Sequence, residues 1–485
     1  GDFLGTEEPV FVLVSRVYNI IDPVLNMGIE DELTRMGCRV IHLEHLEAST
    51  MHVHSEYSNL CWPFGQHQLT GIEIIRRHKN LYPIYITNHG CGPDTALQHY
   101  VEKALEGREY LHLEVDEHSS RVGVITRLEA FLYSLNQNEV NGTTPAAMEQ
   151  SVKDGKPAAL LPELGIYTEL LRREIPEGID IRQAEPLRQH RSFNYAINKE
   201  YYSLLVTMEE LLNAVEPGAR YALYFPTDEG TEVFSQYGRL IQQELTRIGC
   251  PTALKASFLE DIPGRADYRE FYARMLLLEL AQLCGKQADL DGELDVLVEH
   301  IRKAAQKARD NLREDTRKKI LLLGEPLCVC KESILSRCSA LAKTCRLLPM
   351  PLSEALLFHW RDVDRGGKYC RQTSELTRLH DMAVDVMGKS GLYDSVDELF
   401  ALAKGKLDFC VGDMARYRFA KLLAASRPMA DGILMLHSNE ENAAIVNKVL
   451  AEGYRDQIRL PLAAANLDFT HGLDAEEAET FTHYL

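Results

Sequence analysis

The sequence predicts an α/β protein built from several parallel-sheet modules, and three observations support this fold class. Near-continuous apolar runs such as "VFVLVSRVYN" and "LYPIYIT" are typical of strands buried on both faces of a parallel sheet. Segments with helical periodicity lie between these runs, as expected when helices cover both faces. The chain has 485 residues, and at roughly 100–200 residues per domain this length predicts about three domains.

The first module is predicted over residues 1–137, where strands and helices alternate. Its strands are "VFVLVSRVYN", "CRVIHLEHL", "LYPIYIT" and "EYLHLEVDEH". Its helices are "NMGIEDELTRMG", "FGQHQLTGIEIIRRHKN", "PDTALQHYVEKALEG" and "GVITRLEAFLYSL". Gly37 ends the first helix and Pro93 opens the third, because these residues suit a helix end and a first helical position.

The rest of the chain is predicted to form a linker or excursion over residues 138–189 and modules over 190–317 and 318–485. In the second module "RYALYFP" is a strand between two helices, and a long charged helix reaches residue 317. Apolar residues mark one face of that helix, which either joins two modules or packs on a core with its outer face in solvent. Residues 318–485 repeat the element order of 1–137, so we expect these two modules to be diverged copies.

Composition and charge exclude several classes of partner. The net charge of −19 argues against binding to nucleic acid or to an anionic membrane. No apolar run is long enough to span a bilayer, and the first residues carry no basic-then-apolar signal. The opening "GDFLGTEEP" indicates an internal cut point, so we expect that a part of the natural protein is missing before residue 1.

The cysteines predict a reducing cytoplasm. Eleven cysteines are spread along the chain without a C-x-x-C pair, a pattern unlike that of a secreted disulfide framework. Cys328, Cys330, Cys338 and Cys345 come closest to a ligand cluster, but their spacing matches no zinc motif. Buried structural thiols are the favoured interpretation of these four residues.

The main candidate for chemistry is Cys91, in "ITNHGCGPDTALQHY". It follows a strand and precedes a helix, and ligands of parallel sheets bind just beyond the carboxyl ends of strands. A helix N-terminus lowers the pKa of a thiol and so favours the thiolate, which ligates metals or attacks electrophiles. The alternative is a small cysteine that fills space beneath a tight strand-to-helix turn.

Other candidates lie at neighbouring strand ends. Asp116 and His118 follow the fourth strand, where they would tune Cys91 or accept a polar ligand. The alternative is that Asp116 caps the next helix. Cys61, in "SNLCWPFGQ", is a weaker candidate, and Cys410 occupies a comparable place in the last module.

Four motifs resemble the 2-hydroxyacyl-CoA dehydratase and benzoyl-CoA reductase superfamily: "SRVYNIIDPVLNMGI", "CWPFGQ", "GCGPDT" and "LEVDEHSSRVGVITRLEAFL". The resemblance is strongest to the branch of large activators of 2-hydroxyglutaryl-CoA dehydratase, and it covers the first 137 residues throughout and the rest more loosely. It implies paired flavodoxin-like domains and a four-iron iron–sulfur cluster held by three cysteines per subunit. It also implies an activase-type ATPase as electron donor and an acyl-CoA as a possible ligand.

When the family's cluster cysteines are compared residue by residue with this chain, the two halves of the chain differ. Cys91 matches a cluster cysteine, and its co-ligands would come from Cys61, from sequence before residue 1 or from a partner subunit. In residues 190–485 the three cluster cysteines are replaced, by Tyr201, by Glu232 and by a residue near Glu440. Oxygen ligands do not reproduce soft thiolate coordination, so no cluster is expected there.

The resulting hypothesis is a component of a dehydratase- or activator-like redox system with a partial iron–sulfur site at Cys91. Asp116 and His118 would complete the cofactor-binding surroundings. The first alternative is a non-catalytic scaffold or interaction protein that keeps the fold without a cluster. The second is an α/β cleft that binds an acyl-CoA or another small molecule. No G-x-x-x-x-G-K-[ST] loop occurs, so ATP hydrolysis by this chain is not expected.

Overall fold

A computed structural model gives the fold of the chain. It describes residues 7–46, 60–141, 156–187, 201–228, 232–363, 367–388, 392–407, 414–425, 430–438, 441–458, 460–467 and 480–485. Within these ranges lie three four-stranded sheets, and all paired strands in them are parallel. The predicted α/β class with several parallel sheets is confirmed.

The first sheet has the order β2-β1-β3-β4. Its strands are β1 (Val10–Val14), β2 (Arg39–His42), β3 (Leu81–Asn88) and β4 (Leu111–Val115). Its helices are α1 (Val17–Ile21), α2 (Ile29–Arg35), α3 (Pro63–Arg77), α4 (Gly92–Ala104) and α5 (Arg121–Asn141). All five residues of β1 are buried, which explains why this central strand reads as an unbroken apolar run.

The second sheet has the order β6-β5-β7-β8. Its strands are β5 (Ala158–Leu161), β6 (Ile181–Gln183), β7 (Tyr221–Thr227) and β8 (Thr252–Phe258), and its helices are α6 (Thr168–Arg172), α7 (Tyr202–Ala214) and α8 (Phe234–Arg247). The structure therefore differs from the linker or excursion predicted over 138–189, because two strands of this sheet lie there. These strands have only four and three residues, too few to show a clear periodicity in the sequence.

Two helices follow the second sheet, α9 (Tyr268–Leu283) and α10 (Leu294–Glu314). The predicted apolar face of the long helix α10 is buried at Leu297, Ile301, Ala305, Ala308 and Leu312. This face packs against α9 and against α15 (Cys370–Met387). The interpretation as a core-packing helix with a solvated outer face agrees with this burial.

The third sheet has the order β10-β9-β11-β12. Its strands are β9 (Lys318–Gly324), β10 (Cys345–Pro349), β11 (Gly432–Ser438) and β12 (Leu462–Leu467). Its further helices are α11 (Pro326–Cys330), α12 (Glu332–Leu335), α13 (Ser339–Thr344), α14 (Leu352–Val363), α16 (Val396–Ala403), α17 (Ala415–Ala424) and α18 (Asn442–Gly453). All three sheets share one strand order, so topology does not single out the first and third as copies, and that relation stays a prediction.

The chain divides into two compact units. The first unit comprises residues 1–150 with 197–200, and the second comprises 151–196 with 201–485. The second and third sheets thus belong to one unit, although the sequence predicts separate modules over 190–317 and 318–485. One hydrophobic core runs through this unit from Leu170 to Phe481. None of the described helices combines the length and the apolarity that crossing a membrane requires.

A buried lysine ties the second and third sheets together within the second unit. Lys331, between α11 and α12, is fully buried, and its Nζ donates a 2.6 Å hydrogen bond to the Glu163 carbonyl oxygen just after β5. It also donates to the buried carboxylate of Glu210 on α7. Because a buried charge is tolerated only when it is paired and hydrogen-bonded, these contacts fix the two sheets relative to each other.

Candidate functional site

The strand order of the three sheets locates the places where ligands bind. In each sheet the first strand lies between the second and the third, so the chain changes direction between the first and third strands. Ligands of flavodoxin-like sheets bind at this switch point, beyond the carboxyl ends of the two strands. The three switch points are β1/β3 in the first unit and β5/β7 and β9/β11 in the second.

Cys91 lies at the switch point of the first unit. It is the N-cap residue of α4, three residues beyond the end of β3. Arg16, which follows β1, donates from Nη2 to Cys91 Sγ at 2.8 Å and from Nε to Asp94 Oδ1 at 3.0 Å. The Cζ atom of Arg16 lies 4.0 Å from the ring centroid of Phe64 on α3. The guanidinium therefore joins the N-termini of α3 and α4 around the thiol.

The predicted lowering of the Cys91 pKa is wrong. Burial and the negative charge of Asp94 raise the pKa of this thiol to about 11, against a smaller lowering effect of Arg16. Asp94 lies in the first turn of α4, and its Oδ2 accepts a 3.1 Å hydrogen bond from the Asn88 backbone N–H. A carboxylate thus occupies the positive end of the helix, and the thiol beside it is protonated at neutral pH.

A polar network surrounds the same switch point. The buried Asn19 donates from Nδ2 to Ser15 Oγ at 3.1 Å and to Asn88 Oδ1 at 3.0 Å. Asn88 donates in turn to the Tyr18 hydroxyl at 2.9 Å, and Ser15 donates to the Ile86 carbonyl oxygen at 2.6 Å. The sequence reasoning missed Ser15 and Asn19, although "SRVYN" places them directly after an apolar run.

Asp116 and His118 have different positions. Asp116 Oδ1 accepts hydrogen bonds from Ser119 Oγ at 2.7 Å and from the His118 backbone N–H at 3.0 Å, and the Ser119 bond is the largest cause of the lowered Asp116 pKa. Asp116 Oδ2 lies 3.9 Å from Nδ1 of His89, two residues before Cys91. Helix α5 begins at Arg121, so Asp116 holds the turn before the helix and is not its N-cap. The His118 side chain is 84% exposed, and its Nε2 lies 3.7 Å from Glu117 Oε1.

Cys61 lies two residues before α3, as Cys91 lies directly before α4. The two helices pack closely, because a Cβ atom at Gly65 would lie 2.9 Å from Leu97 Cδ2. In the described ranges no group of three or more Cys, His, Asp or Glu side chains has a geometry suited to a metal ion. Cys410 lies outside the described residues.

The cysteines between residues 328 and 345 do not form a ligand cluster in the structure. Cys328, Cys338 and Cys345 are buried, and Cys330 is half-buried. Burial raises the pKa of Cys328, Cys330 and Cys338, which makes thiolate formation unfavourable. The interpretation of these residues as structural thiols agrees with their surroundings.

The second unit contains a cavity of about 120 Å³ at the carboxyl ends of its strands. Asp228 after β7, Glu325 after β9 and Glu441 after β11 all line it, so both switch points of this unit open into one space. Most other lining side chains are apolar, among them Leu170, Phe234, Phe271, Met275, Leu356 and Met414. An apolar body with a few convergent polar groups is the usual character of a small-molecule site.

The polar lining residues lie where helices begin. Tyr201, Glu325 and Glu441 are the N-cap residues of α7, α11 and α18, and Glu232 lies two residues before α8. Burial and then the nearby carboxylates of Glu232, Glu441 and Glu325 raise the pKa of Tyr201 well above its ordinary value. The Tyr201 side chain is 3% exposed, and the Asn442 backbone N–H lies near its hydroxyl.

Glu325 lies at the centre of a buried hydrogen-bond network. The Ser203 hydroxyl lies 2.6 and 2.7 Å from its two carboxylate oxygens, and the Tyr237 hydroxyl donates to Oε1 at 3.0 Å. Ser438 Oγ and Cys328 Sγ approach Oε2 at 3.2 and 3.5 Å. Burial raises the pKa of Glu325 in spite of these donors. The network draws on four separate segments of sequence, so no local motif predicts it.

Among the described residues that line the cavity, Arg418 carries a guanidinium group. It donates from Nη1 to Glu441 Oε1, and both side chains are buried. The cavity thus brings together Tyr201 and Glu232, two of the positions where the resemblance expects cluster cysteines. The third expected position, near Glu440, falls next to Glu441, while Glu440 itself lies outside the described residues.

No protein-family model matches the chain, and no curated protein matches it. The sequence motifs and the two sites are therefore the basis for assigning a function.

Proposed function

We propose that this chain is a component of a redox system of the 2-hydroxyacyl-CoA dehydratase and activator type. In this proposal residues 190–485 hold no iron–sulfur cluster, and Cys91 contributes one thiolate to a cluster completed by Cys61 or by co-ligands from a partner subunit. The supporting observation is that Tyr201 and Glu232, two of the positions where the resemblance expects cluster cysteines, line a single cavity.

The donor atoms of this cavity do not fit an iron–sulfur cluster. Iron–sulfur clusters require thiolate ligands, whereas Tyr201, Glu232 and Glu441 offer a phenol and two carboxylates. Cys330 also lines the cavity, but burial raises the pKa of its thiol and so disfavours the thiolate. We therefore assign to the second unit the binding of a small molecule or of a partner.

The surroundings of Cys91 fit a single cluster ligand. Its sulfur accepts a hydrogen bond from Arg16, and hydrogen bonds to sulfur are one of the means by which proteins set cluster potentials. Deprotonation at a pKa of about 11 requires that iron displaces the proton, as metal binding to thiols does. An activase-type ATPase as electron donor, an acyl-CoA ligand and a cytoplasmic location belong to the same proposal.

Anaerobic reconstitution with iron and sulfide tests the proposal on the cysteine-intact protein together with its partner subunit. We expect bound iron and visible absorption in the parent protein, and loss of both in Cys91→Ala. The matched control is Cys370→Ala, since Cys370 is an exposed thiol in the second unit and is expected to leave the cluster intact. Absence of a cluster from the parent protein, or an unchanged cluster in Cys91→Ala, would exclude this role.

The second candidate is a non-catalytic scaffold or interaction protein that keeps the fold without a cluster. The observation that favours it is the protonated state of Cys91, whose pKa lies at about 11. Under this candidate the parent, Cys91→Ala and Cys370→Ala bind equally little iron. Iron and sulfide content measured on the three proteins therefore separates the two candidates.

A further inference from the structure

The wall of the second-unit cavity is mainly apolar and comes from helices that cover the sheets. Leu170 lies on α6, Phe271 and Met275 on α9 and Leu356 on α14, and all four side chains line the cavity. Phe234 on α8 adds a second phenyl ring. Removal of hydrocarbon from water against such side chains is favourable in proportion to the apolar area that is buried. The wall therefore favours a ligand whose body is hydrocarbon.

The ion pair and the buried carboxylate in the lining are engaged with other groups of the protein. Arg418 donates from Nη1 to Glu441 Oε1, and both side chains are buried. The carboxylate oxygens of Glu325 lie 2.6 and 2.7 Å from the Ser203 hydroxyl, and Oε1 accepts a 3.0 Å hydrogen bond from the Tyr237 hydroxyl. A charged ligand would have to displace one of these partners, which would leave a buried polar group unpaired.

Other polar groups of the lining also have partners in the protein. The Tyr167 hydroxyl donates to Glu279 Oε1 at 2.9 Å, and the Asn442 backbone N–H lies near the buried Tyr201 hydroxyl. Two further lining residues take part in interactions of their own, Asp228 and Glu232. A charged group on a ligand would therefore compete with protein groups that are already in place, whereas an uncharged ligand disturbs none of them.

The volume of the cavity limits the size of the hydrocarbon body. It is about 120 Å³, a little below the roughly 150 Å³ of an engineered apolar cavity that binds benzene. A single ring or a short chain of about six carbon atoms suits this volume, and a body of two fused rings exceeds it.

We propose that the cavity binds an uncharged, compact hydrocarbon body of about six carbon atoms, which lies against Phe234, Phe271 and Met275. A single aromatic ring is favoured over a chain, because phenyl rings and thioethers both pack well on an aromatic ring. The inference rests on the small-molecule binding that the proposed function assigns to the second unit, and it names the class of ligand. The preferred ligand is thus neither a carboxylate, nor an amine, nor a coenzyme A ester.

Calorimetric titration of the full chain with three probes that carry the same ring tests the inference. Benzyl alcohol is neutral, benzylamine is cationic and benzoate is anionic at neutral pH. We expect benzyl alcohol to bind at least about tenfold more tightly than either charged probe, because the charge would be desolvated without a partner. The two-ring alcohol 1-naphthylmethanol should bind more weakly than benzyl alcohol, since it exceeds the volume of the cavity.

Two substitutions that fill the cavity locate the bound probe. Leu170→Phe and Leu356→Phe each add volume to a side chain of the lining and should weaken benzyl alcohol binding by about tenfold or more. The matched control Leu25→Phe changes a leucine of the first unit that is 45% exposed and should leave the affinity unchanged. Circular dichroism establishes that each variant is folded, and the comparison of the three probes on the parent protein needs no variant.

Three results would overturn the inference: no binding of benzyl alcohol, a charged probe that binds as tightly, or benzyl alcohol affinity unchanged in both filled variants. Tighter binding of benzoyl-CoA than of benzyl alcohol would also count against it and would favour a coenzyme A ester. The redox proposal is measured separately, as the iron content of the parent and of Cys91→Ala. Failure of either proposal leaves the other measurement unaffected, so the two failures are distinguishable.

Discussion

Cys91 in the first unit and Glu441 in the second occupy the same place in their sheets. Each is the N-cap residue of the helix that follows the third strand, and each accepts a hydrogen bond from an arginine, Arg16 or Arg418. The surroundings differ. Cys91 shares Arg16 with Asp94 and is half-buried, whereas Glu441 is buried and borders an apolar cavity. The fold therefore fixes the position, while the neighbouring side chains decide the chemistry.

The difference extends to what each arginine does. Arg16 contacts Asp94, Cys91 and the Phe64 ring. The ion pair between Arg16 and Asp94 does not require the Cys91 thiol. Arg418 and Glu441 form a buried pair at the cavity wall. We expect the two positions to respond very differently to substitution, to pH and to the introduction of thiols.

The largest effect is expected when three cysteines are introduced into the lining of the second-unit cavity. The triple variant Tyr201→Cys, Glu232→Cys and Glu441→Cys places three thiols at one cavity, and a cluster with about four irons should then assemble in the second unit. Iron and sulfide analysis after anaerobic reconstitution measures this gain. The double variant Tyr201→Cys and Glu232→Cys is the control and should bind much less iron. Equal iron in both variants would contradict the three-ligand assignment.

The next effect concerns stability. Glu441→Ala removes the carboxylate that accepts a hydrogen bond from the buried Arg418 and should lower the free energy of unfolding of the second unit by about 3–5 kcal/mol. Cys91→Ala should cost the first unit about 1 kcal/mol, since the Arg16–Asp94 pair remains. Urea unfolding followed by circular dichroism measures both.

Asp397→Ala, which removes an exposed partner of Arg361, is the ion-pair control and should cost less than about 1 kcal/mol. Equal losses of unfolding free energy in Glu441→Ala and Cys91→Ala would contradict the expected difference between the two positions.

A pH effect is expected at the end of β11, where His437 is buried. Burial, with smaller effects of Lys448 and Arg418, lowers the pKa of His437 to about 4 from its ordinary 6.5. Between these values the unfolded chain binds a proton that the folded chain does not, so stability falls as the pH falls through this window. The loss attributable to His437 is at most about 3 kcal/mol.

Urea midpoints at neutral pH and near pH 4.5 measure this loss. The variant His437→Gln should lose less stability on acidification than the parent. His118→Gln changes an exposed histidine of the first unit and should behave as the parent does. A parent and a His437→Gln variant with the same pH dependence would show that His437 does not carry the effect.

The smallest effect concerns the reactivity of Cys91. With a pKa of about 11 against an ordinary 9.0, about a hundredfold less thiolate is present near neutral pH than in an ordinary thiol. Alkylation by iodoacetamide, read by mass spectrometry on the peptide that contains Cys91, should be correspondingly slow and should accelerate towards pH 11.

Two variants assign the cause of that slow reaction. Asp94→Asn removes the carboxylate that raises the pKa of Cys91 and should speed the alkylation. Arg16→Met removes the charge that lowers the pKa and should slow it further. Exposed Cys370 serves as the reference thiol within the same sample. A Cys91 rate equal to that of Cys370 would mean that the surroundings of Cys91 do not protect the thiol.

The elements that the sequence predicts well are those buried on both faces. Strands β1, β3 and β9 read as long apolar runs because no side of them meets water. Strands β5 and β6 escaped prediction because four and three residues carry no clear period. At the site, Cys91 was placed correctly between strand and helix, since glycine and proline mark such turns locally.

The sequence by itself determined the α/β class, the long buried strands and the position of Cys91 between a strand and a helix, because local burial patterns and short motifs encode these features. Only the tertiary structure decided that the Cys91 thiol is protonated and that Glu325, Ser203, Ser438 and Arg418 meet around one cavity. Ser203 and Ser438 are 235 residues apart in the chain. Contacts over such distances arise from packing of whole sheets, and electrostatic shifts depend on the resulting burial, which no local pattern records.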